Sequence, residues 1–513
     1  MTTKYLFITL LVISNMAFAQ KDVSESEASR KMKNGNYEDA LVDYLQLLNT
    51  DSKNEQYNFN AAVCCLNSNG NKAKAIPYLE VVTRRDKYNP EADYLLARAY
   101  HFAGRYDNAI TMYENYKTYL LNKGKINSDI NDQIQYCINA KELVKFPVNV
   151  TFQNLGKNIN SEYNDYYPFV TANESFMLFN SKRPEKNAEK LENGEYKNSI
   201  CISKVVNGTF EKATIAGAPL NTGNNGMEII GMSADGATVL LASSVNRKGS
   251  VFISNLTGKG IYSKPEPLSK MINTKGEEIS ASISSGGVIY FASNREGGFG
   301  GFDLYSCKVA PNGKWAEPQN LGPNVNGKLD EDFPNISPDG KTLYFSSKGR
   351  TSMGGYDIFK ANYDETSNSF ENAKNMGYPI NTAYDNMNFR VSKSGKYGYM
   401  GAIKPNGLGE YDIYRINFNE VETEVSAVLG EFKSTEPVNY QDVYISVNDK
   451  ETNELVGNYL PNRTTGHFIM ILKPGKYQIS IEAAGFKTVE KTIEVFDKAS
   501  FESEINMSVE LVK

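Results

Sequence analysis

Histidine is almost missing from this chain. Only His101 and His467 occur in 513 residues. That removes most histidine-based general-base and metal-ligand schemes. Cysteine is scarce too: Cys64, Cys65, Cys137, Cys201 and Cys307 are odd in number, and their spacings fit neither a metal site nor a disulfide scaffold. They read as small apolar residues for a core. No Gly-x-Ser-x-Gly elbow occurs, so hydrolase chemistry of that kind has no nucleophile. The glycine-rich run Gly297 to Gly301 leads into strand-forming residues rather than a helix, which makes it a hairpin and not a phosphate cradle. No enzymatic activity, cofactor or metal is therefore expected. The formal net charge of −5 gives no general attraction to nucleic acid.

Long apolar runs are lacking as well. The longest candidate, Tyr5 to Ile13, falls short of the ~20 residues a bilayer span needs. Lys4 precedes it and Ala17-Phe18-Ala19 follows, just ahead of Gln20, which is the pattern of a cleaved export signal over residues 1–19. No cysteine follows that site, so no lipid anchor is expected, and no transmembrane segment either.

What the chain does contain is a five-fold internal echo. An apolar residue followed by asparagine recurs at Asn160, Asn221, Asn273, Asn326 and Asn381, at spacings of 52 to 61 residues. Each copy continues with a turn, most clearly Ser233-Ala234-Asp235-Gly236 and Ser337-Pro338-Asp339-Gly340. Glycine there takes positive φ without a Cβ clash. β-Branched and aromatic strands follow at Phe176 to Phe179, Thr238 to Leu241, Val288 to Phe291, Thr342 to Phe345 and Tyr397 to Met400. A third strand recurs as Phe302 to Tyr305, Tyr356 to Phe359 and Tyr411 to Tyr414. Such a cadence predicts stacked equivalent sheets, five of them with room for a sixth, and the lone strand Val148 to Leu155 is placed to close the ring. Ser337 to Lys341 carries the full Ser-Pro-Asp-Gly-Lys hallmark of the PD40 (WD40-like, TolB-type) propellers, which residues 146–420 resemble.

Ahead of it, Gly35-x-Tyr37-x-x-Ala40 returns at Gly70 with Ala75 and again as Gly104-x-Tyr106-x-x-Ala109. The period of 34 to 35 residues is that of tetratricopeptide repeats. Glycine sits in the turn between paired helices and alanine lets them approach. Residues 20–145 thus resemble a three-repeat array with a capping helix at 127–144. The concave groove of such an array either holds a partner's peptide or helix or docks onto the rest of the chain. Behind the propeller, Thr464-x-Gly466-x-Phe468 and Leu472-x-Pro474-Gly475-x-Tyr477, followed by Ala484-Gly485-Phe486, resemble the carboxypeptidase regulatory-like family, a transthyretin-like β-sandwich over 421–513.

One constellation suggests a site. An acidic or amide residue precedes the first strand of each copy: Asp165, Glu228, Glu278, Asp332, and Asp385 or Asn386. Ring symmetry would gather these at one mouth of the channel, where they could hold a cation or a basic peptide; alternatively each accepts hydrogen bonds within its own sheet. The order of modules resembles PorE-like periplasmic proteins of the type IX secretion and gliding-motility group. That resemblance implies a non-enzymatic scaffold at the outer membrane, binding envelope proteins through the helical groove and a propeller face. The group's peptidoglycan-binding OmpA-like domain has no counterpart within these residues, so any peptidoglycan association is expected to be indirect. A cell-wall or glycan-binding propeller is the alternative.

Overall fold

The computed structural model describes residues 23–125, 128–221, 226–243, 249–312, 314–419, 425–496 and 504–513. The segment read as an export signal and the expected boundary at 420/421 lie outside them.

Among the described residues, seven α-helices come first: α1 (Glu25–Lys33), α2 (Tyr37–Thr50), α3 (Glu55–Asn67), α4 (Ile76–Thr83), α5 (Glu91–Phe102), α6 (Tyr106–Asn122) and α7 (Ser128–Leu143). Ser24, Asn36 and Asn54 cap the first three with side-chain oxygens that accept backbone N–H groups. Gly35 and Gly104 turn between helices at φ of +78° and +71°, which a Cβ would oppose. Gly70 differs: it takes no left-handed conformation, and a 3-10 turn (Lys72–Ala75) capped by Asn71 feeds α4 instead. Ala40, Ala75 and Ala109 are fully buried, as are Tyr44, Leu79 and Tyr113 in the grooves they open. Tyr37 and Tyr106 pack at the edges of these clusters. All five cysteines are free and buried. Burial pushes the Cys64 and Cys137 thiols up to about 12, so they remain protonated packing groups.

An all-β part follows. Five sheets succeed one another, each an antiparallel meander of three main strands with short outer pairings. The first holds Asp165–Val170, Phe176–Ser181 and Ser199–Val206; the second Met227–Met232, Thr238–Ser243 and Val251–Asn255. The third holds Glu278–Ile283, Ile289–Ser293 and Asp303–Cys307; the fourth Glu331–Ile336, Thr342–Ser347 and Asp357–Asp364; the fifth Arg390–Val391, Tyr397–Ala402 and Asp412–Phe418. The outer strand of the fifth sheet is Val150–Asn154, paired antiparallel with Asp412–Phe418 from Val150 opposite Phe418 to Asn154 opposite Tyr414. The lone strand ahead of the repeats therefore completes the last sheet.

Apolar clusters between neighbouring sheets close the ring. Leu178 and Ile229 join the first to the second, Leu240 and Phe291 the second to the third, Leu304 and Phe345 the third to the fourth. Ile358 and Met400 join the fourth to the fifth, and Phe179 and Tyr399 the fifth back to the first. The recurring asparagine explains itself here. Asn221 grips both backbone groups of Ile200, Asn273 those of Val251, Asn326 those of Leu304, Asn381 those of Ile358 and Asn160 those of Ile413, all at 2.7–3.0 Å. One amide thus replaces two ladder bonds on each third strand, satisfying groups that burial would otherwise orphan.

The C-terminal residues form two further sheets. Ser426–Lys433 lies between Phe468–Leu472 and Glu504–Glu510, while Leu455–Tyr459, Val443–Asp449, Gly475–Ala483 and Val489–Val495 form the other. Val428, Phe468 and Met470 from one meet Ile445, Ile479 and Ile481 from the other in a shared core. The strand Glu504–Glu510 pairs parallel with Ser426–Lys433.

Candidate functional site

The helical array lies across one mouth of the ring. Helix α5 presents Tyr94, Arg98, His101 and Phe102 towards the loops at Gly354-Gly355 and Ala383 to Asp385, because spacings of four, seven and eight residues share one helical face. His101 Nε2 donates to the Met353 carbonyl at 2.8 Å, which fixes the tautomer. Burial holds its pKa down at about 4, so the ring is neutral. Phe102 packs on Tyr384 with centroids 4.8 Å apart, and Lys72 reaches over the Phe102 ring. Helix α7 adds two bonds, from Tyr136 Oη to the Lys348 carbonyl at 2.6 Å and from Asn139 Nδ2 to the Ser352 carbonyl at 2.8 Å. A Cβ on Gly354 would collide with the Thr382 carbonyl at 2.4 Å, so this loop can lie flat against the next sheet only as glycine. Of the two uses of the groove, holding a partner or docking onto the rest of the chain, the second is seen along α5, where the chain's own loops face it.

Among the described residues, cavities lie under this roof. One, of about 460 Å³, is lined by Tyr166, Tyr167, Glu228, Asn164, Lys182 and Tyr411 among others. The second, of about 450 Å³, lies against α5 and Asp385. Asn69 and Tyr411 border both. The floor is aromatic. Tyr166, Tyr167 and Phe333 form a chain of rings with successive centroids 4.8 Å apart, spanning from the first sheet to the fourth. Tyr167 and Phe333 both stand at φ +51°, an unfavourable conformation for bulky residues, and the first strands slip register there.

The five acidic residues do not form a circle; they occupy three different positions. Asp165 and Glu278 are fully buried staples of their own sheets. Each accepts the backbone N–H four residues earlier, at 2.6 Å from Ser161 and 3.0 Å from Thr274. Each also pairs with an arginine just beyond the second strand, Arg183 at 2.6 Å and Arg295 at 3.3 Å. Glu331 and Asn386 fill the same role in the fourth and fifth sheets. Glu228 and Asp332 stand one residue further along, Glu228 accepting from Tyr166 Oη at 3.3 Å and Asp332 from the Ser280 hydroxyl. Asp385 stands one residue before the staple and accepts the Tyr356 N–H at 2.9 Å, as Asp330 does for Phe302. Burial raises Asp332 to about 7 against the pull of its hydrogen bonds, and Glu331 likewise to about 7. Asp303, Asp357 and Asp412 each accept a nearby loop N–H and an asparagine amide, as turn-holding carboxylates do.

Sequence reasoning missed Arg390. It is buried in the channel on the first strand of the fifth sheet, where the corresponding residues are Phe169, Gly231, Ser282 and Asn335. A cation among that set was the available signal. Among the described residues, no group of three His, Cys, Asp or Glu side chains is arranged to hold a metal ion.

A tetratricopeptide-repeat family model matches residues 26–90 and 68–117, and the N-terminal helices are such repeats. No curated protein matches. Among solved structures the chain is similar to a glycoside hydrolase at 10% identity, covering 58% of this chain and 97% of the hydrolase with a TM-score of 0.38. It is similar to the RRP9 WD40 repeats at 11% identity, covering 52% and 97% with a TM-score of 0.30. A glycosyl hydrolase from Bacteroides ovatus is 11% identical over 50% of this chain and 84% of its own, with a TM-score of 0.32.

Proposed function

We propose that this protein is a non-enzymatic interaction scaffold of the cell envelope. In this reading the five sheets are the blades of a closed five-bladed PD40-type propeller, and the C-terminal sheets are a carboxypeptidase regulatory-like sandwich. The export signal and the order of modules favour a periplasmic position at the outer membrane, in a secretion or gliding-motility complex of the type IX kind. The observation that carries the reading is the array's outward face. With α5 turned to the ring, Val42 and Leu45 on α2 and Leu121 on α6 stay 37–58% exposed, apolar side chains set on protein-binding repeats. Partners then bind the outer helices rather than the groove. The test is crosslinking and affinity capture of the tagged protein from its native envelope, beside the double variant Val42→Glu with Leu45→Glu. Secretion or motility components captured by the parent and lost from the variant support the scaffold. Recovery of the protein alone would sink it.

A second reading rests on the roofed cavity of about 460 Å³, whose tyrosines, Asn164 and Glu228 offer the stacking faces and polar groups that saccharides require. Cosedimentation with purified cell wall, abolished by Tyr411→Ala, would favour it over the scaffold.

A further inference from the structure

The opposite end of the channel holds an unusual charge. Arg390 is 5% exposed, and among the described residues no carboxylate pairs with it. Its contacts are all neutral: the Pro334 carbonyl at 3.4 Å, Asn335 Oδ1 at 2.8 Å, Asn388 Oδ1 at 2.5 Å, and the Phe169 ring with the guanidinium 4.4 Å from its centroid. Those contacts orient the guanidinium without cancelling its charge, and an uncompensated buried ion is far costlier than a buried amide. Burial holds the group down at about 9, still protonated at neutral pH.

One donor without an acceptor lies beside it, and another stands at its register position two sheets away. Arg390 Nε, Asn388 Nδ2 and the Ser282 hydroxyl are buried and have no partner. Ser282 stands at the register position in the third sheet that Arg390 fills in the fifth, each across from the residue three before the end of the neighbouring strand, Tyr290 and Tyr399. Asn388 is held at φ +56°, a conformation asparagine tolerates better than most residues. Beside Arg390 lies a small cavity of about 30 Å³, bordered by Ser284, Ser337 and Asn335. That is room for one or two water-sized particles and too little for a sugar or a peptide.

We infer that this end of the channel is a binding site for a halide-sized anion, chloride under physiological conditions, held by Arg390 with the Asn388 amide and the Ser282 hydroxyl. A cation, two neutral N–H or O–H donors and an apolar wall from Phe169 suit a weakly hydrated monovalent anion. The site lies at the far end of the channel from the helical roof and does not depend on the scaffold reading.

Crystals of the full-length protein grown in sodium bromide would be measured at the bromine absorption edge. An anomalous peak within hydrogen-bonding reach of Arg390 Nε is expected; its absence, with only water density there, overturns the site. In parallel, thermal unfolding is followed in chloride and in gluconate at equal ionic strength. Wild type should melt several degrees higher in chloride, by mass action on the folded state. Arg390→Met should melt at one temperature in both salts, whatever its own stability, and Arg390→Lys should keep part of the difference. Equal melting of the wild type in both salts would also overturn the proposal.

Discussion

The helical array and the C-terminal sandwich flank the same ring, yet they are attached to it in opposite ways. The array is seated through buried groups: a neutral histidine on a carbonyl, a tyrosine hydroxyl and an asparagine amide on loop carbonyls, and Phe102 against Tyr384. The sandwich touches the ring through long cationic side chains, Lys476 at 3.8 Å from Glu371 and Lys374 over the Phe496 ring. The sandwich has its own complete core, whereas the array also presents polar atoms that need the ring as partner. The difference teaches that the array depends on the ring for partners to its buried groups, whereas the sandwich is a tethered neighbour.

Acid should separate the two kinds of attachment most strongly. The His101 pKa lies at about 4 in the folded protein against 6.5 in an open chain. Its contribution is therefore whole above pH 6.5 and is lost as pH falls through about 4, a change on the order of 3 kcal/mol. The ring runs the other way: Asp332 and Asp357, raised by burial to about 7 and about 8, contribute stability that is whole below about pH 4 and lost as pH rises through those values. Thermal unfolding between pH 4 and 7 should show the array's helical signal loosening on the acid side while the ring holds. His101→Gln keeps a donor without a titration and should flatten that acid slope; an unchanged slope would place the effect elsewhere. A smaller change is expected from Tyr136→Phe, which removes one buried hydrogen bond to Lys348 and should cost about 1 kcal/mol in urea titrations. The smallest belongs to the sandwich. Lys476→Ala breaks a half-exposed ion pair and should shift stability by less than about 0.5 kcal/mol, a loss that salt would mask further. A large effect there would erase the contrast.

The repeats were legible because each copy spells its own turn and strand, and because a single amide must clamp each third strand. The helical repeats were legible for a similar reason, since Ala40, Ala75 and Ala109 can only be small where helices touch. The acidic residues misled. They were matched by their approximate place ahead of each first strand, and on a strand a slip of one residue reverses the side chain's direction. Gly70 misled in a milder way: the period placed it correctly, but Asn71 and a 3-10 turn took over its role. Docking of the array onto the rest of the chain was one of two readings that the sequence left open, and it could not choose between them, since the docking depends on carbonyls of Met353, Lys348 and Ser352, and backbone groups leave no mark in a sequence.

The strand that completes the fifth sheet carries a mechanical consequence. Val150 pairs with Phe418, and the Asn419 N–H donates to the Asn149 carbonyl at 3.2 Å, so the chain enters and leaves the ring side by side at one end of one antiparallel pair. A pull between the two flanking modules would load that pair alone, opening its rungs in succession like a zipper while the other four sheets bear no tension. The ring would yield first at its seam, at a force set by a few hydrogen bonds taken singly.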